Sequence, residues 1–477
     1  MQIFSQSPCR IRYIQQSRVA KHSSSPIDTR HNTRRLPKIT QPRRSPRKLR
    51  LLPLVAATYF MVSGGPYGLE DIIGLAGFHW ALLLLALVPL FWSLPTALMV
   101  GELASAIPTE GGFYIWVTRG LGRFWGFQEA WLSLSASVFD MAIYPTTFTL
   151  YLGHLYPALT AGHRGLALKL AIVTLATLWN LRGAVAVGEG SIGMMCVSLS
   201  PFVLLVLAGF WKALHGGLHL THAAQPALRH DLLAAIPITL WNYMGWDNAS
   251  TIAQEVEDPQ RNYPRAMFRS AIAVMFVYML PLAAVWAAGI PAERFSTGAW
   301  TDAAELLAGP ALALAVVIAG SLDGLGTFNA LTLTLTRLPY AMAEDGLLPR
   351  LLTRRLRNGV PWVSVLACAT GWALALGLTF ERLITLDLVL YGAALLLEFA
   401  ALIALRRKEP ALPRPFRVPG GDAVATLLGL GPLALILFAL YSARDEKVGS
   451  IPALFFAVLV ALAGMLTYAL FERPRRT

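Results

Sequence analysis

The chain has 477 residues, of which 55% are hydrophobic and 14% are charged, and it carries a formal net charge of +13. This balance, with a mean hydropathy of +0.54, excludes an ordinary soluble globular protein and is typical of an integral membrane protein. Residues 1–50 contain 13 Lys and Arg and one acid, Asp28, so nearly all of the excess charge belongs to this segment. The remaining chain is close to neutral, and we expect no nucleic-acid partner.

The amino-terminal segment, residues 1–50, is rich in Ser, Pro and Arg. It has too little apolar surface to offset the entropy of ordering, so its composition predicts a disordered, basic cytoplasmic tail. No apolar stretch typical of a secretory signal precedes Leu51. A transit peptide and an upstream mis-called start are the alternative interpretations.

About twelve segments are long and apolar enough to cross a bilayer, which needs about 20 residues per helix. Their connections are short, so the sequence predicts one all-α integral membrane domain over residues 51–471, followed by a cytoplasmic tail over 472–477. The predicted spans are 51–75, 80–104, 124–152, 166–181, 187–211, 232–254, 266–289, 305–336, 361–379, 383–405, 423–442 and 450–471.

The distribution of Lys and Arg predicts the orientation. With the amino terminus inside, 32 of the 40 basic residues fall on the cytoplasmic side and 8 on the other. Positive loops stay in the cytoplasm. We therefore expect both termini there, an even number of helices, and a multi-pass protein in the lipid bilayer of the cell membrane.

Two of the predicted spans are interrupted. The stretch SGGPYGLED, Ser63 to Asp71, breaks the first span, and Asn242 to Asp247 form a weak point in the sixth. Irregular backbone at membrane depth is tolerated only where it lines a cavity or is buried in protein. Paired interruptions at corresponding places in two halves indicate inverted repeats around a central binding site. The alternative, that Gly and Pro are simply common in membrane helices, explains one break better than two.

Asp140 lies near the middle of the third predicted span, and Asp247, Asp323 and Glu398 lie in the sixth, eighth and tenth spans. A charge at the bilayer centre costs roughly 2.5–3.5 kcal/mol on insertion scales. Since no Lys or Arg lies at comparable depth to pair with them, the acids either carry protons as relays or hold a cationic ligand. The alternative for each acid is a neutral carboxyl that hydrogen-bonds a neighbouring helix.

Aromatic residues lie at the same predicted depth, and their faces attract ammonium groups with about 0.5–2 kcal/mol. Trp241 and Asp247, six residues apart, form the favoured pair. Freed backbone N–H groups at the first break suit a carboxylate, if the substrate has one. The predicted substrate-binding residues are Ser63, Gly64, Gly65, Tyr67, Asp140, Tyr144, Trp241, Asn242, Tyr243, Trp246, Asp247, Asp323, Tyr391 and Glu398.

The sequence predicts no metal site and no cofactor. The three cysteines form neither a disulfide framework nor a metal-binding spacing. His215, His219 and His222 have helical spacing, but no Cys or carboxylate completes a ligand set. A solvated external loop is therefore favoured over a metal site.

Six motifs follow one another from about Tyr59 to Pro419: VSGGPYGLEDIIG, GGFYIWVTRGLGRFWGFQEAW, SVFDMAIYPTTF, LWNYMGWDNASTIAQEVEDPQRNYPRAM, PYAMAEDGLLP and YGAALLLEFAALIALRRKEPALPRPFRVP. Together, and in family order, they resemble the amino acid-polyamine-organocation superfamily, most closely its plant-type polyamine uptake and L-type amino acid transporter branch.

The resemblance implies a leucine-transporter-like fold of five plus five inverted-repeat helices plus two, with alternating access to a midplane site. The family's glycine-rich motif corresponds to residues 63–68. Its gating aromatic corresponds to Trp241, and its acid for protons or amines corresponds to Asp247. The polyamine branch is also similar at Asp140 and Glu398.

Two departures concern the coupling ion and the substrate. Many amino acid transporters of the superfamily carry a Lys in the fifth helix, where this chain has Ser198 and Ser200 instead. The family's eighth-helix aromatic is replaced in a region that contains Asp323 and Leu325. An acid in that place suits a cationic substrate.

These observations predict a secondary transporter, not an enzyme, that moves amino acids or polyamines by alternating access. Proton coupling, in a symport mode, and a cationic amine substrate are favoured. The first alternative is a neutral amino acid permease or exchanger. More distant alternatives are an intramembrane enzyme, a channel and a non-transporting sensor.

Overall fold

The computed structural model describes residues 48–63, 65–216, 229–448 and 450–472. Gly64, His219, His222 and most of the predicted tails lie outside the described residues. The described chain is predominantly α-helical, as the apolar pattern predicts. The only strands within it are β1 (Lys447–Val448) and β2 (Ile451–Pro452), which form an antiparallel pair.

Eighteen α-helices follow one another along the described chain. The first nine are α1 (Leu51–Val62), α2 (Glu70–Phe91), α3 (Ser93–Ala106), α4 (Gly112–Leu121), α5 (Arg123–Leu155), α6 (Pro157–Thr160), α7 (Gly162–Asn180), α8 (Ala184–Gly216) and α9 (Arg229–Trp241). The others are α10 (Pro259–Ala287), α11 (Trp300–Ala308), α12 (Pro310–Leu335), α13 (Arg337–Glu344), α14 (Trp362–Ala373), α15 (Phe380–Lys408), α16 (Gly421–Leu428), α17 (Leu430–Ser442) and α18 (Ala453–Phe471). Short 3₁₀ turns cover Asn248–Thr251, Ala253–Glu255, Ala292–Arg294, Arg350–Thr353 and Ala443–Asp445.

Seven helical stretches of the described chain are long and apolar enough to cross a membrane, which makes this an all-α, multi-pass membrane protein. Three shorter apolar helices, α1, α14 and most of α9, accompany them. The predicted number of twelve spans stays a prediction. The long stretches are Glu70–Ala106, Ala184–Gly216, Pro259–Ala287, Pro310–Glu344, Arg382–Lys408, Gly421–Asp445 and Ala453–Phe471.

Some predicted spans have different boundaries in the structure. The span at 80–104 belongs to α2 and α3, which meet at Trp92, where the backbone leaves the helical region. The span at 305–336 is divided at Gly309. This residue has a φ of +85°, which is outside the helical region, and α11 ends there. Pro310 then occupies the first turn of α12, where its missing N–H costs nothing. Apolarity alone does not distinguish one long helix from two short ones.

The two predicted interruptions are confirmed. α1 ends at Val62 and α2 begins at Glu70, so the backbone between them is not helical. α9 ends at Trp241, and no α-helix follows until α10 begins at Pro259. The second half of the predicted sixth span, 232–254, contains only 3₁₀ turns and irregular backbone, so the interruption extends beyond the predicted weak point at Asn242 to Asp247. We call residues 242–258 the interrupted segment.

Helices α5 and α15 pack against each other extensively and run in opposite directions. The start of α5 and the end of α15 lie at the same end of the helix pair. At this end Lys408 Nζ donates to the carbonyl oxygen of Gly120, shortly before α5, at 2.8 Å. Arg119, just before α5, forms a 2.5 Å ion pair with Glu409, just after α15. These contacts fix the register in which the two helices face each other.

A buried ion-pair cluster lies beside the end of α15. Glu102 on α3 is fully buried and receives Arg406 at 2.5 Å and Arg414 at 3.2 Å. The backbone N–H of Val418 donates to the same carboxylate at 2.8 Å. Arg406 also donates to the carbonyl oxygen of Gly421 at 2.8 Å. Each buried charge is thus paired and hydrogen-bonded, as a low-dielectric interior requires.

Candidate functional site

The two non-helical breaks lie directly against each other. A Cβ atom on Gly245, whose φ is +89°, would approach the Met61 carbonyl oxygen to 2.2 Å, so only glycine fits this contact. A Cβ on Gly68, whose φ is +87°, would lie 3.3 Å from the Trp241 ring. The glycines of each break therefore let it approach the other helix closely.

Backbone hydrogen bonds reinforce this contact. Leu49, before α1, donates to the Glu255 carbonyl oxygen at 2.8 Å, and Glu257 donates to the Leu49 carbonyl oxygen at 2.8 Å. Tyr278 on α10 donates to the Asn242 carbonyl oxygen at 2.6 Å. The interrupted segment thus satisfies part of its freed backbone through neighbouring elements, which is the condition for irregular backbone at membrane depth.

A cavity of about 60 Å³ lies where the two breaks meet. At roughly 10–15 Å³ per water molecule it holds a few waters, so a larger substrate requires it to widen. Seven predicted residues line it: Tyr67, Asp140, Tyr144, Trp241, Asn242, Asp323 and Tyr391. Twelve further residues also line it: Met61, Val62, Gly68, Thr147, Met244, Gly245, Asn248, Tyr278, Thr297, Gly324, Thr327 and Asp387.

A second, smaller cavity adjoins the first. Asp140, Asn248, Asp387 and Tyr391 line both, and Asp247 joins them in the second. Three carboxyl groups therefore meet at this boundary. No Lys or Arg lines either cavity within the described chain.

Asp140 is held by aromatic side chains. The Tyr144 hydroxyl donates to its Oδ1 at 2.7 Å, and the Trp241 side chain lies within hydrogen-bonding reach of the same carboxyl. The rings of Tyr144 and Trp241 stack with centroids 6.4 Å apart and planes inclined by 28°. An ammonium group at Asp140 would therefore meet both a carboxylate and aromatic faces.

Asp247 and Asp323 occupy different sides of the site. The Tyr391 hydroxyl donates to Asp247 Oδ1 and accepts the backbone N–H of Gly245. Asp323 on α12 accepts a 2.7 Å hydrogen bond from Ser198 on α8. Ser198, noted as a departure from the family pattern, thus contacts an acid of the site.

The sequence reasoning missed Asp387. It is 2% exposed, its Oδ2 has no hydrogen-bond partner among the described residues, and it lies within electrostatic range of Asp140 and Asp247. A signal was available, because Asp387 precedes Tyr391 by one helical turn and therefore shares its face of α15.

Other predicted residues lie outside the cavity lining. Ser63 accepts the N–H of Gly65 at 3.2 Å, which joins two residues of the break to each other. The Tyr243 hydroxyl donates to a carbonyl of α2, and Trp246 is buried with 1% of its surface exposed. Glu398 is fully buried on α15 and lines neither cavity.

Glu70 and Asp71 begin α2, and Glu70 also connects distant elements. Its buried carboxylate accepts the Gly68 N–H at 2.6 Å, the Gly298 N–H at 3.3 Å and the Tyr151 hydroxyl. Asp71 accepts a 2.7 Å hydrogen bond from Thr297, which lines the cavity. The first break is thus tied to the segment before α11.

Replacing Tyr151 by Phe is expected to lower the protein's stability in detergent by about 1–3 kcal/mol, because a buried carboxylate loses one of its donors. Thermal unfolding followed by intrinsic fluorescence measures this change. Tyr156→Phe is the matched control, because Tyr156 is 56% exposed. Equal unfolding temperatures for the two variants would contradict the role assigned to Glu70.

Of the three histidines for which no metal site was predicted, only His215 lies within the described residues. His215 is exposed in the last turn of α8. The described residues contain no group of three or more His, Cys, Asp or Glu side chains that could hold a metal ion.

Comparison with known proteins identifies the family. Residues 55–470 match the family model described as amino acid permease. The chain belongs to the amino acid permease family. This permease is 32% identical to a protein named probable polyamine transporter from Arabidopsis thaliana, over 90% of this chain and 85% of that protein. It is 34% identical to polyamine transporter PUT1 of Oryza sativa subsp. japonica, over 83% and 74%.

A bacterial relative has a related name. The probable agmatine/putrescine antiporter AguD of Lactococcus lactis is 24% identical over 76% of the permease and 80% of its own length. The resemblance to the superfamily, inferred from motifs, is thereby confirmed. The permease is a transporter, not an enzyme.

Proposed function

We propose that this permease carries cationic amines, polyamines foremost, by proton-coupled alternating access. One observation carries the proposal: the central cavity is lined by Asp140, Asp323 and Asp387 and by no described Lys or Arg. Uncompensated carboxylates at membrane depth are costly, and a di- or polyamine supplies several positive charges at once. The stacked rings of Tyr144 and Trp241 add attraction for an ammonium group.

The relatives' names support the same substrate class. Two are named polyamine transporters and one an agmatine/putrescine antiporter. All three names refer to compounds with more than one basic nitrogen. Such a compound spans the separated acids of the cavity better than a compact amino acid does.

A neutral amino acid permease is the alternative, and one observation counts against it. A zwitterion would place its carboxylate on the N–H groups of the first break. However, the N–H of Gly65 already donates to Ser63, and that of Gly68 donates to Glu70. These donors would have to exchange partners before they could bind a substrate carboxylate.

The transport machinery in this proposal is the leucine-transporter-like fold, with twelve helices arranged as five plus five inverted repeats plus two. The contact between the first break and the interrupted segment supports it, because discontinuous helices form the substrate sites of such folds. The transporter domain covers 51–471, with tails over 1–50 and 472–477. The proposal also includes the location of both termini in the cytoplasm, which the excess of Lys and Arg on that side supports, and the location of the protein in the cell membrane.

Uptake into proteoliposomes tests the proposal. Labelled putrescine, spermidine, arginine and leucine are compared, with and without an imposed pH gradient and against protein-free vesicles. We expect the polyamines to accumulate preferentially, and more so with the gradient. A preference for leucine that Asp140→Asn and Asp247→Asn leave unchanged would overturn the proposal.

A further inference from the structure

Two buried glutamates outside both cavities have no role in the site described above. Glu129 on α5 and Glu398 on α15 each expose 0% of their surface. Neither oxygen of Glu398 has a hydrogen-bond partner among the described residues, and Oε2 of Glu129 also has none. The other Glu129 oxygen accepts a 2.8 Å hydrogen bond from Ser133. A carboxyl group so poorly satisfied at this depth requires an explanation.

Each of the two glutamates lies on the same helix as one aspartate of the cavity, at the same spacing along the chain. Glu129 precedes Asp140 by eleven residues on α5, and Glu398 follows Asp387 by eleven residues on α15. Eleven residues are close to three helical turns, so each glutamate shares a helix face with its aspartate, about 16 Å away. Because α5 and α15 run antiparallel, both glutamates are displaced toward the same end, where Lys408 contacts Gly120.

The charged and titratable surroundings of the pair are acidic or neutral. Asp247 on the interrupted segment lies within electrostatic range of both glutamates, and Glu129 lies within range of Glu398. Tyr391, which shares a helix face with Glu398, is also within range and bonds Asp247. Among the described residues no Lys or Arg forms an ion pair with either glutamate, and Arg406, further along α15, pairs with Glu102.

Ionising both of two buried carboxylates that lie within electrostatic range of each other is strongly disfavoured without a compensating cation. The unpartnered oxygens are closed to solvent, and neither cavity includes them. A proton, unlike a hydrated ion or a substrate amine, needs no cavity beside these oxygens. The smallest cation, a proton, is the species that fits.

We propose that Glu129 and Glu398 form an inner proton site that couples transport to the pH gradient. One proton binds to one carboxylate of the pair, which becomes a neutral carboxyl group, and the same O–H bond breaks when the proton leaves toward the Lys408 end. Asp247 and Tyr391, which line the second cavity, lie within electrostatic range of Glu398. The inference rests on the proposed function, because it concerns the coupling of the same transport cycle.

Separate measurements of coupling and of exchange test this site. Accumulation of putrescine driven by a pH gradient is compared with putrescine–putrescine counterflow at equal pH. We expect Glu129→Gln and Glu398→Gln to lower gradient-driven accumulation about tenfold, with Glu129→Gln leaving counterflow within about twofold of the parent protein. Glu189→Gln is the matched control, because Glu189 is an exposed glutamate of α8.

Infrared spectroscopy of the purified full chain adds a readout that is independent of transport. The carbonyl band of a protonated carboxyl group should decrease in Glu398→Gln and persist in Glu189→Gln. Unchanged gradient-driven accumulation, an unchanged carboxyl band, or loss of counterflow by Glu129→Gln in a folded protein would each overturn the inner proton site. Absence of polyamine transport by the parent protein would instead overturn the proposed function.

Discussion

Putrescine uptake at low substrate concentration is expected to fall about a hundredfold when Asp387 is replaced by Asn. The substitution keeps the shape of the side chain and removes its charge. Loss of one partner from a desolvated charge pair costs about 2–5 kcal/mol, and each 1.4 kcal/mol is about tenfold in affinity. Initial rates of labelled putrescine uptake into proteoliposomes measure the effect.

The matched control for Asp387→Asn is Asp302→Asn, because Asp302 is an exposed aspartate of α11 outside the cavity. Its uptake should stay within about twofold of the parent protein. If Asp387→Asn transports putrescine at the parent rate, Asp387 does not bind the amine. Asp140→Asn, which changes the acid that Tyr144 holds, should match Asp387→Asn.

The largest effect on stability is expected for Glu102→Gln, at about 3–5 kcal/mol. Arg406 and Arg414 are 2% and 8% exposed in their side chains and would be left without their shared carboxylate. Arg414 would then be a buried charge without a carboxylate partner, and Arg406 would keep only its 3.1 Å ion pair with the exposed Asp422. Thermal unfolding in detergent measures it, and the yield of folded protein after gel filtration provides a second readout.

Arg417→Gln is the matched control for this cluster. Arg417 pairs with Asp422 at 3.2 Å, but both side chains are more than half exposed, at 59% and 60%. Such surface pairs contribute about 0–1 kcal/mol. Equal destabilisation by Glu102→Gln and Arg417→Gln would show that burial of the Glu102 cluster has no energetic importance.

The sequence predicted the two interruptions because their composition conflicts with a lipid-facing helix. Gly, Pro and polar residues crowd the first break and the start of the interrupted segment. The same conflict pointed to Asp140, which the structure places in the cavity wall. These features are local, so the sequence alone was sufficient to find them.

Other features depend on which side of an irregular segment faces the cavity. Tyr243 and Trp246 were predicted to bind substrate, but they lie outside the cavity lining, because non-helical backbone has no fixed periodicity. Asp387 and Glu129 were missed because each acid was considered by itself. Their importance emerges only when α5 and α15 are placed side by side.

The close contact between Gly245 and Met61 has a mechanical consequence. Together with the two Leu49 hydrogen bonds, it clamps both ends of α1 to the interrupted segment. Separating α1 from the interrupted segment would break several backbone contacts at once. Moving the two together as one rigid body would preserve all of these contacts. Residues 49 and 256 already form an isolated parallel β-bridge. A disulfide engineered between these two positions should therefore leave α1 and the interrupted segment free to move together.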